Sequence, residues 1–578
     1  MPMSSKCRNR AEQSSIRILE CDNALDRLNE ARFKQHYDKL FSNCHWSTPF
    51  QSWAFLTTWY KYYCILYDPV IILDVDPDNK LTAFLALARD KQTSRLFVAG
   101  THQAEYQAWL SSADSYGPFL SNAFNALQQK YDTRSLTFKY LPERAPTDWM
   151  TNRQGKNWSV QIRRHKRPLV DLSKAEQMAK SLNKKSNKSR IRRLNRQGPL
   201  EFFQKMDPDE CEHRIDEIAA HYDLRQGAIN GSRPFIDDPN KRGFHVELMR
   251  QQNLFHGSML TVGDKLAAAH IGAGDESTMS IGVFSYSPFF ARQSPGKILI
   301  LMMCIDLAKR GYQYLDLTPG GDWKDRFATD FGQVIEAKVI FDQRMAFREK
   351  ITGVFATVAK STAKLLGVRP AAVKNLAQTL RHRRLSSVFR FLGEHIWSDR
   401  EFRIYFLDAA IGRQTHFDKV LQRDSIQDLL AFRPTERWQT RQKFLGTALQ
   451  RLAQGMHVYT YVENGILIHS GWQIERQERA RFSEVEQDYT FPSGTAVLFD
   501  SYTHPAARRR GIQQKSLRQR LRDAAEIEGV ERIFTAALAD NTPSIRSIEK
   551  VGFSYKLSLF RSRRFGNTRR SRSDFSDT

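Results

Sequence analysis

Three consecutive arginines precede a glycine at residues 508–511, where an apolar run gives way to a helical pattern. The preceding run, residues 495–503, has the composition of a strand, and Pro505 favours a turn. The first N–H groups of a helix are unpaired and carry partial positive charge, and glycine lets a ligand approach the backbone closely. The arginines add fixed positive charge. The sequence therefore predicts a phosphate-binding turn between a strand and a helix.

A second segment with a helix start follows downstream, from Asn541 to Phe553. Thr542 is suited to cap the helix, and Pro543 to occupy its first position, where no N–H is needed. Ile545 and Ile548 lie at the spacing of one apolar helix face. This segment is expected to pack beside the phosphate-binding turn.

The two segments together resemble the cofactor-binding segments of the GNAT-type, acyl-coenzyme A-dependent N-acyltransferases. The resemblance rests on Pro505, on Arg508 to Ile512, and on Asn541 with Gly552-Phe553. It implies an α/β (α+β) fold with a mixed central sheet flanked by helices, and acetyl-CoA or another acyl-CoA as co-substrate. By that resemblance, the residues expected to hold the cofactor are Tyr502, Thr503, Arg508, Arg509, Arg510, Gly511, Ile512, Gln513 and Asn541.

Two positions depart from the family pattern. Gln513 stands where a second small residue is usual in the phosphate loop, and Ile548 stands where the family often has a general-acid tyrosine. Amine attack on a thioester needs a base for the ammonium and an acid, or solvent, for the thiolate. Asp500 and Tyr502 are the catalytic candidates beside the expected acyl site, with His504 close by, and each is equally compatible with a structural role.

The elements around these segments fit the same domain. Two β-rich runs flank Asn464-Gly465 in residues 458–472, which predicts a hairpin with a type I′ turn. Further strands are predicted at residues 532–537 and 555–560. The earlier half of the chain repeats the plan of hairpin, strand, helix and strand, with a hairpin predicted around Gly263.

The N-terminal half, from Thr48 to about Phe341, resembles the BioF-like acetyltransferase domain of CelD-type proteins, relatives of the FemAB aminoacyltransferases. The resemblance rests on residues 48–53, 267–272, 295–296, 314–317 and 320–327. It implies two GNAT-like folds in this half, and acyl or aminoacyl transfer connected with cell-envelope polysaccharide. Lys324 would then stabilise a phosphate or developing negative charge; the alternative is a surface lysine after a loop. His270, in an apolar strand, fits a core histidine better than a base.

Composition limits the other function classes. A chain of 578 residues is too long for one core, and its net charge of +25 favours polyanions such as phosphate-bearing cofactors, nucleic acid or an anionic membrane surface. The six cysteines form no Cys-x-x-Cys pair, so neither a disulfide framework nor a zinc site is expected. No apolar run approaches the roughly 18 residues of a membrane span, and the start lacks the apolar stretch of a secretory signal. A cytoplasmic protein, with a peripheral position at the inner face of the membrane as an option, fits these features.

These patterns divide the chain into six predicted segments. They are a polar N-terminal tail (1–40), a first GNAT-like half of the CelD-type region (41–175), a BioF-like GNAT acetyltransferase domain (176–342), a basic helical connector (343–399), a C-terminal GNAT domain (400–562) and a disordered Arg/Ser-rich tail (563–578).

The predicted function is acyl transfer from acyl-coenzyme A to an amine or hydroxyl on an envelope sugar, lipid-linked precursor or peptide. One alternative is FemAB-like transfer from aminoacyl-tRNA, which the basic surface would suit. Another is a non-catalytic scaffold of envelope assembly with GNAT folds, which Gln513 and Ile548 keep open.

Overall fold

The computed structural model describes residues 16–151, 157–251, 254–342, 344–345, 397–436, 439–565 and 567–574. Within these residues the chain forms two compact units. The first comprises the described residues of 16–219, 238–286 and 293–345, and the second comprises those of 220–237, 287–292 and 397–574.

The first unit contains fourteen described strands, eight complete helices and the first part of a ninth helix. The strands are β1 (Arg17–Glu20), β2 (Tyr67–Val75), β3 (Leu81–Asp90), β4 (Leu96–Val98), β5 (Leu110–Ser111), β6 (Ser135–Leu141), β7 (Ser159–Asp171), β8 (Leu200–Phe203), β9 (Phe255–Val262), β10 (Lys265–Ala273), β11 (Thr278–Ser280), β12 (Val283–Tyr286), β13 (Tyr314–Asp316) and β14 (Asp330–Ile340). The helices are α1 (Cys21–Asn29), α2 (Ala31–Asn43), α3 (Trp53–Tyr63), α4 (Tyr116–Lys130), α5 (Ala175–Leu182), α6 (Lys185–Asn195), α7 (Pro208–Asn230), α8 (Asn240–Arg250) and α9 (Pro295–Lys309). The residues of α7 from Ala220 onward belong to the second unit.

The predicted polar tail differs from the structure. Residues 17–43 form β1, α1 and α2, and β1 adds to the edge of the sheet β1-β2-β3-β4 by antiparallel pairing with β2. Leu28, Phe33 and Tyr37 are buried in the same core as that sheet. Apolar residues at helical spacing therefore anchor this segment although most of its residues are polar.

A five-stranded sheet crosses the boundary that the sequence predicts at residue 175. Its order is β11-β13-β7-β14-β6, and β7 pairs with β14 along eleven residues, from Leu169–Asp330 to Ser159–Ile340. Strands from both sides of residue 175 thus share one sheet, because the long strand β7 links them.

The second unit contains ten described strands and five further helices besides the residues it takes from α7. The strands are β15 (Trp397–Asp408), β16 (Gln422–Arg423), β17 (His457–Glu463), β18 (Ile466–Ile474), β19 (Arg479–Phe482), β20 (Gln487–Thr490), β21 (Thr495–Thr503), β22 (Arg532–Leu538), β23 (Ser554–Arg564) and β24 (Asn567–Asp574). The helices are α10 (Ala409–Gln414), α11 (Ile426–Leu430), α12 (Arg441–Ala453), α13 (Ile512–Ala525) and α14 (Thr542–Lys550).

One eight-stranded sheet organises the second unit, in the order β16-β17-β18-β21-β22-β15-β23-β24. Side chains alternate along each strand, so Ile533 and Ala537 of β22 join the core under α13 and α14, whereas Phe534 faces the β19–β20 hairpin. The predicted hairpin around Asn464-Gly465 is confirmed: both residues have positive φ, 51° and 68°, as a type I′ turn requires.

The predicted disordered tail also differs from the structure. β24 pairs antiparallel with β23 from Arg564–Asn567 to Leu557–Asp574. Arg561, Arg563 and Arg570 all pair with Glu486, which neutralises part of the arginine run. The basic connector predicted for residues 343–399 lies outside the described residues except for 344–345 and 397–399, and the last three belong to β15.

The structure also bears on membranes and metals within its described part. No helix there is both long and apolar enough to cross a bilayer. The same residues contain no group of three or more histidine, cysteine or acidic side chains placed to hold a metal ion.

Candidate functional site

A cavity opens in the second unit where two parallel strands separate. β21 and β22 pair only at their first residues, from Thr495–Arg532 to Val497–Phe534. Beyond Val497 the strands diverge, and a cavity of about 770 Å³ lies between them. Residues on both faces of the sheet line it, among them Phe402, Phe482, Phe491, Phe534, Asp500, Ser501, Gln513, Asn541, Ser544 and Ile548. The gap therefore joins the α13–α14 face of the sheet to the face under the β19–β20 hairpin.

The predicted phosphate turn adjoins this cavity. A short 3-10 helix, Pro505–Ala507, follows β21, and α13 begins after Gly511, its N-cap residue. Gly511 has φ 73°, a backbone conformation that L side chains rarely adopt. An added Cβ would meet open space there, so the sequence needs glycine for its conformation rather than for lack of room.

The three arginines of the turn differ in their partners. Arg510 donates to both carboxylate oxygens of Glu463 at 2.8 Å, which fixes its side chain. Arg508 and Arg509 are exposed, and neither forms an ion pair with another described residue. Two cations beside the N–H groups of the first turn of α13 can attract a diphosphate.

Gln513 and Asn541 meet across the start of the two helices. The Gln513 amide Nε2 donates to Ser544 Oγ at 3.3 Å, and the Asn541 side chain caps α14 by accepting from the Ser544 N–H, also at 3.3 Å. Both Gln513 and Asn541 line the cavity. The bulky residue in the predicted phosphate loop thus reaches sideways to α14 and not over the N–H groups of Gly511 and Ile512.

A β-bulge in β21 shapes the middle of the cavity. Against β18 the register runs Ser470–Tyr502 and then Trp472–Phe499, so Asp500 and Ser501 oppose the single residue Gly471. Asp500 has φ 45°, as expected of a residue that bends a bulged strand. Its Oδ2 accepts from Arg451 Nη1 at 2.5 Å, so only Oδ1 is free of this ion pair.

A buried arginine that the sequence analysis did not single out holds the bulge. Arg520 of α13 is 0% exposed, and its guanidinium donates to the Trp472 carbonyl at 3.0 Å and to Ser501 Oγ at 2.8 Å. A weaker contact of 3.4 Å reaches the Phe499 carbonyl. Burial lowers the pKa of Arg520 to about 10. The sequence signal for this burial is the position of Arg520 on the apolar face of α13, between Leu517 and Leu521, because a charge there must find buried partners.

Of the residues predicted for this site, Asp500, Gln513 and Asn541 line the cavity, whereas Tyr502, Thr503 and residues 508–512 do not. The ring of Tyr502 packs against Phe432 with ring centroids 5.8 Å apart, and burial raises the pKa of its hydroxyl. Thr503 Oγ1 is 2.9 Å from His469 Nδ1. Both residues belong to the part of β21 that pairs with β18. Ile512 is buried against Ile468 and Ala507, so only its backbone is available to a cofactor.

Lys324 lies in the first unit, separate from the residues above. Its Nζ donates to the Thr318 carbonyl at 3.0 Å and to Thr318 Oγ1 at 2.9 Å. The Thr318 N–H in turn donates to Asp316, a fully buried carboxylate that also accepts from Tyr106 and Arg167. Tyr106 and Arg167 line a cavity of about 450 Å³, but Lys324 does not.

The first unit contains a separation of two strands that resembles the one between β21 and β22. β11 pairs parallel with β13, β12 pairs antiparallel with β10, and only Ile281 and Gly282 lie between β11 and β12. The helix α9 then begins after Ser294, whose φ of 52° is left-handed like that of Gly511. His270 of β10 is fully buried, and burial lowers its pKa to about 3, which fits a neutral core histidine.

Comparison with known proteins agrees with this duplicated plan. Residues 183–327 match a family model described as an acetyltransferase (GNAT) domain, and residues 424–553 match one described as the acetyltransferase (GNAT) family. No curated protein matches the chain.

Several solved structures are similar to part of the chain. FemX has 9% identity and a TM-score of 0.38, with 55% of this chain and 98% of FemX covered. L-PGS from Bacillus licheniformis has 12% identity and a TM-score of 0.34, with 54% and 92% covered. A conserved protein of unknown function from Bacteroides thetaiotaomicron has 11% identity and a TM-score of 0.35, with 53% and 97% covered. At these values the similarities assign no substrate.

Proposed function

We propose that this chain, a GNAT-type acyltransferase with two GNAT domains, uses its second unit to move an acyl group from acyl-coenzyme A to an amine or hydroxyl. The observation that carries the proposal is that Gln513, in the first turn of α13 and two residues after Gly511, lines the cavity between β21 and β22 together with Asn541. An elongated cofactor with a diphosphate at one point and a thioester at the other fits a path that starts at a helix N-terminus and ends between two strands.

The donor would bind by its diphosphate at the first N–H groups of α13, with Arg508 and Arg509 adding positive charge. Its pantetheine arm would pass between Gln513 and Asn541 into the gap between the strands. The acyl carbonyl would then lie beside the bulge at Asp500 and Ser501, where β21 is no longer paired with β22.

The acceptor would enter from the face under the β19–β20 hairpin, since the cavity reaches both faces of the sheet. Its nitrogen or oxygen attacks the thioester carbon, the new bond forms, and the carbon–sulfur bond breaks. Asp500 would take a proton from the acceptor through Oδ1, since Oδ2 accepts from Arg451. The sulfur leaves as a thiolate that solvent protonates, because Ile548 has no proton to donate.

The acceptor that we propose is an amine or hydroxyl group on an envelope sugar, a lipid-linked precursor or a peptide. This class follows from the resemblance of the N-terminal half to CelD-type proteins. It leaves the acyl chain of the donor open.

Calorimetric titration with acetyl-CoA and longer acyl-CoAs tests the donor site. Gly511→Trp forces a bulky residue into a left-handed position and covers the N–H groups of α13. We expect this variant to bind one acyl-CoA fewer per chain than the wild type, or to bind it at least tenfold more weakly. Gly529→Trp is the matched control, because Gly529 also has a left-handed φ, 75°, but follows the C-terminal end of α13 and not its N-terminus. An unchanged isotherm for Gly511→Trp would show that the turn does not hold the diphosphate.

A second candidate function concerns the first unit, and the observation in its favour is the charge of α6. This helix has five basic residues and no acidic one, and none of the five forms an ion pair with a described residue. Such a face suits the phosphates of RNA, as transfer from aminoacyl-tRNA would need. RNA binding that weakens steeply with salt, and that Arg192→Glu with Arg193→Glu reduces, supports this candidate. Salt-independent or absent binding contradicts it.

A further inference from the structure

The hydroxyl of Ser501 has an unusual environment for a side chain at the edge of a cavity. Ser501 Oγ accepts a hydrogen bond of 2.8 Å from Arg520 Nη2, and Ser501 lines the cavity between β21 and β22. Among the described residues, no acceptor takes the hydrogen of this hydroxyl. One lone pair of the oxygen is therefore occupied by a cation, and its own O–H remains available to a molecule in the cavity.

Arg520 gives that hydroxyl a stronger donor character. The guanidinium is fully buried and hydrogen-bonds no carboxylate in the described structure; its partners are carbonyls and the Ser501 hydroxyl. A hydroxyl that accepts from a cation is polarised, so it donates more strongly in turn. The positive charge inside the domain would also be offset by any negative charge that develops in the cavity.

The backbone beside Arg520 leaves room for its guanidinium only at a glycine. An ideal Cβ on Gly471 would lie 2.5 Å from Arg520 Cζ, so only glycine leaves room for the guanidinium at that point of β18. The bulge at Asp500 and Ser501 lies opposite the same glycine. Gly471, the bulge and Arg520 thus form one arrangement, which fixes the Ser501 hydroxyl at the gap between the strands.

We propose that Ser501 is a catalytic residue of the second unit: its hydroxyl donates a hydrogen bond to the thioester oxygen, with Arg520 as its positioning residue. This inference rests on the proposed function, because it needs the acyl group of an acyl-CoA in the cavity. When the acceptor attacks, the carbonyl oxygen gains a negative charge that the hydrogen bond and the buried cation stabilise. The charge returns to the carbonyl as the carbon–sulfur bond breaks, and Ser501 keeps its proton throughout.

The test is the infrared carbonyl band of acetyl-CoA labelled with ¹³C at the thioester carbon, bound to the full chain. A hydrogen bond to the carbonyl oxygen lowers the frequency of this band, and no acceptor substrate is needed to observe it. We expect a lower frequency for acetyl-CoA on the wild type than in solution. In Ser501→Ala the band should move back towards the solution value, whereas Ser501→Thr, which keeps a hydroxyl, should retain the lower frequency.

Two further variants separate this role from general effects on the cavity. Ser483→Ala is the matched control, because Ser483 lines the same cavity but donates its hydrogen bond to Glu484; its band should equal that of the wild type. Arg520→Lys keeps the charge with a single nitrogen, and we expect an intermediate frequency. If Arg520→Lys gives the wild-type band, Arg520 does not position the hydroxyl.

The outcomes also separate this inference from the proposed function. Binding of acetyl-CoA with the same band in the wild type and Ser501→Ala would overturn the role of Ser501 and leave the donor site in place. An absence of binding of both acetyl-CoA and longer acyl-CoAs by the wild type would overturn the proposed function itself. Ser501 is exposed, so its variants are expected to fold, and an unchanged thermal unfolding curve checks this.

Discussion

Gly471→Ala is predicted to loosen the bulge without touching any residue of the phosphate turn. The new Cβ would lie 2.5 Å from Arg520 Cζ and 2.7 and 2.8 Å from its two terminal nitrogens, where ordinary contact begins at 3.4 Å. The guanidinium must therefore retreat by roughly 1 Å, because neighbouring atoms cannot overlap. Its bonds of 3.0 Å to the Trp472 carbonyl and 2.8 Å to Ser501 Oγ would then exceed hydrogen-bond length.

The magnitude follows from those two bonds. Each hydrogen bond from a charged donor contributes at least about 1.5 kcal/mol, so the loss of both costs about 3 kcal/mol. A cost of that size makes local opening about 100-fold more frequent. Amide hydrogen exchange measures this opening, and we expect peptides that cover β18 and β21 to exchange about 100-fold faster in the variant.

A second glycine variant provides the control for this experiment. Gly446 lies in α12, and the nearest atom to an added Cβ outside its own helix is the Ala228 carbonyl oxygen at 3.7 Å. Gly446→Ala should therefore leave exchange in β18 and β21 unchanged and slow it slightly in α12, because alanine favours a helix. If Gly471→Ala exchanged at the wild-type rate, Arg520 would not hold the bulge through these bonds.

Three further predictions follow from other contacts. Burial and the charge of Arg520 lower the pKa of His469 to about 3. In the unfolded chain this histidine takes up a proton below about pH 6.5, so the free energy of unfolding falls as the pH drops from 6.5. His469→Gln should remove about 2 kcal/mol of that loss between pH 6.5 and 5 in urea titrations, and an unchanged pH slope would contradict this. Arg508→Gln should weaken acetyl-CoA binding several-fold at low salt and little at 1 M salt, whereas an equal loss at both would exclude an exposed charge contact. Tyr106→Phe should destabilise the first unit by about 1–3 kcal/mol in urea titrations, because buried Asp316 loses a donor; an unaltered midpoint would show that water or Arg167 replaces it.

Local sequence signals predicted the turn and its helix well. Gly511 and Asn464-Gly465 occupy left-handed backbone positions that few other residues tolerate, so their types reveal their conformations. The strand–turn–helix order around Arg508 was readable for the same reason. The second helix start was predicted one residue too late, because Asn541 and not Thr542 caps α14. The GNAT domain recognised from these segments agrees with the family model that matches residues 424–553.

The parts that the sequence did not predict depend on contacts between distant residues. The position of Arg520 on the apolar face of α13 indicates burial, but the bulge opposite Gly471, which provides its partners, depends on residues far apart in the chain. Tyr502 is close in sequence to the expected acyl site, but in the structure its ring packs against Phe432. The two terminal segments predicted as tails contain strands because each pairs with a neighbouring strand, β2 or β23, which composition does not reveal.

The most direct test of the central claim is a crystal structure of the full chain with acetyl-CoA. We expect the diphosphate at the first N–H groups of α13 beside Arg508 and Arg509, and the thioester between β21 and β22 next to Ser501. An empty gap between these strands, with acetyl-CoA bound elsewhere on the chain or not at all, would contradict it.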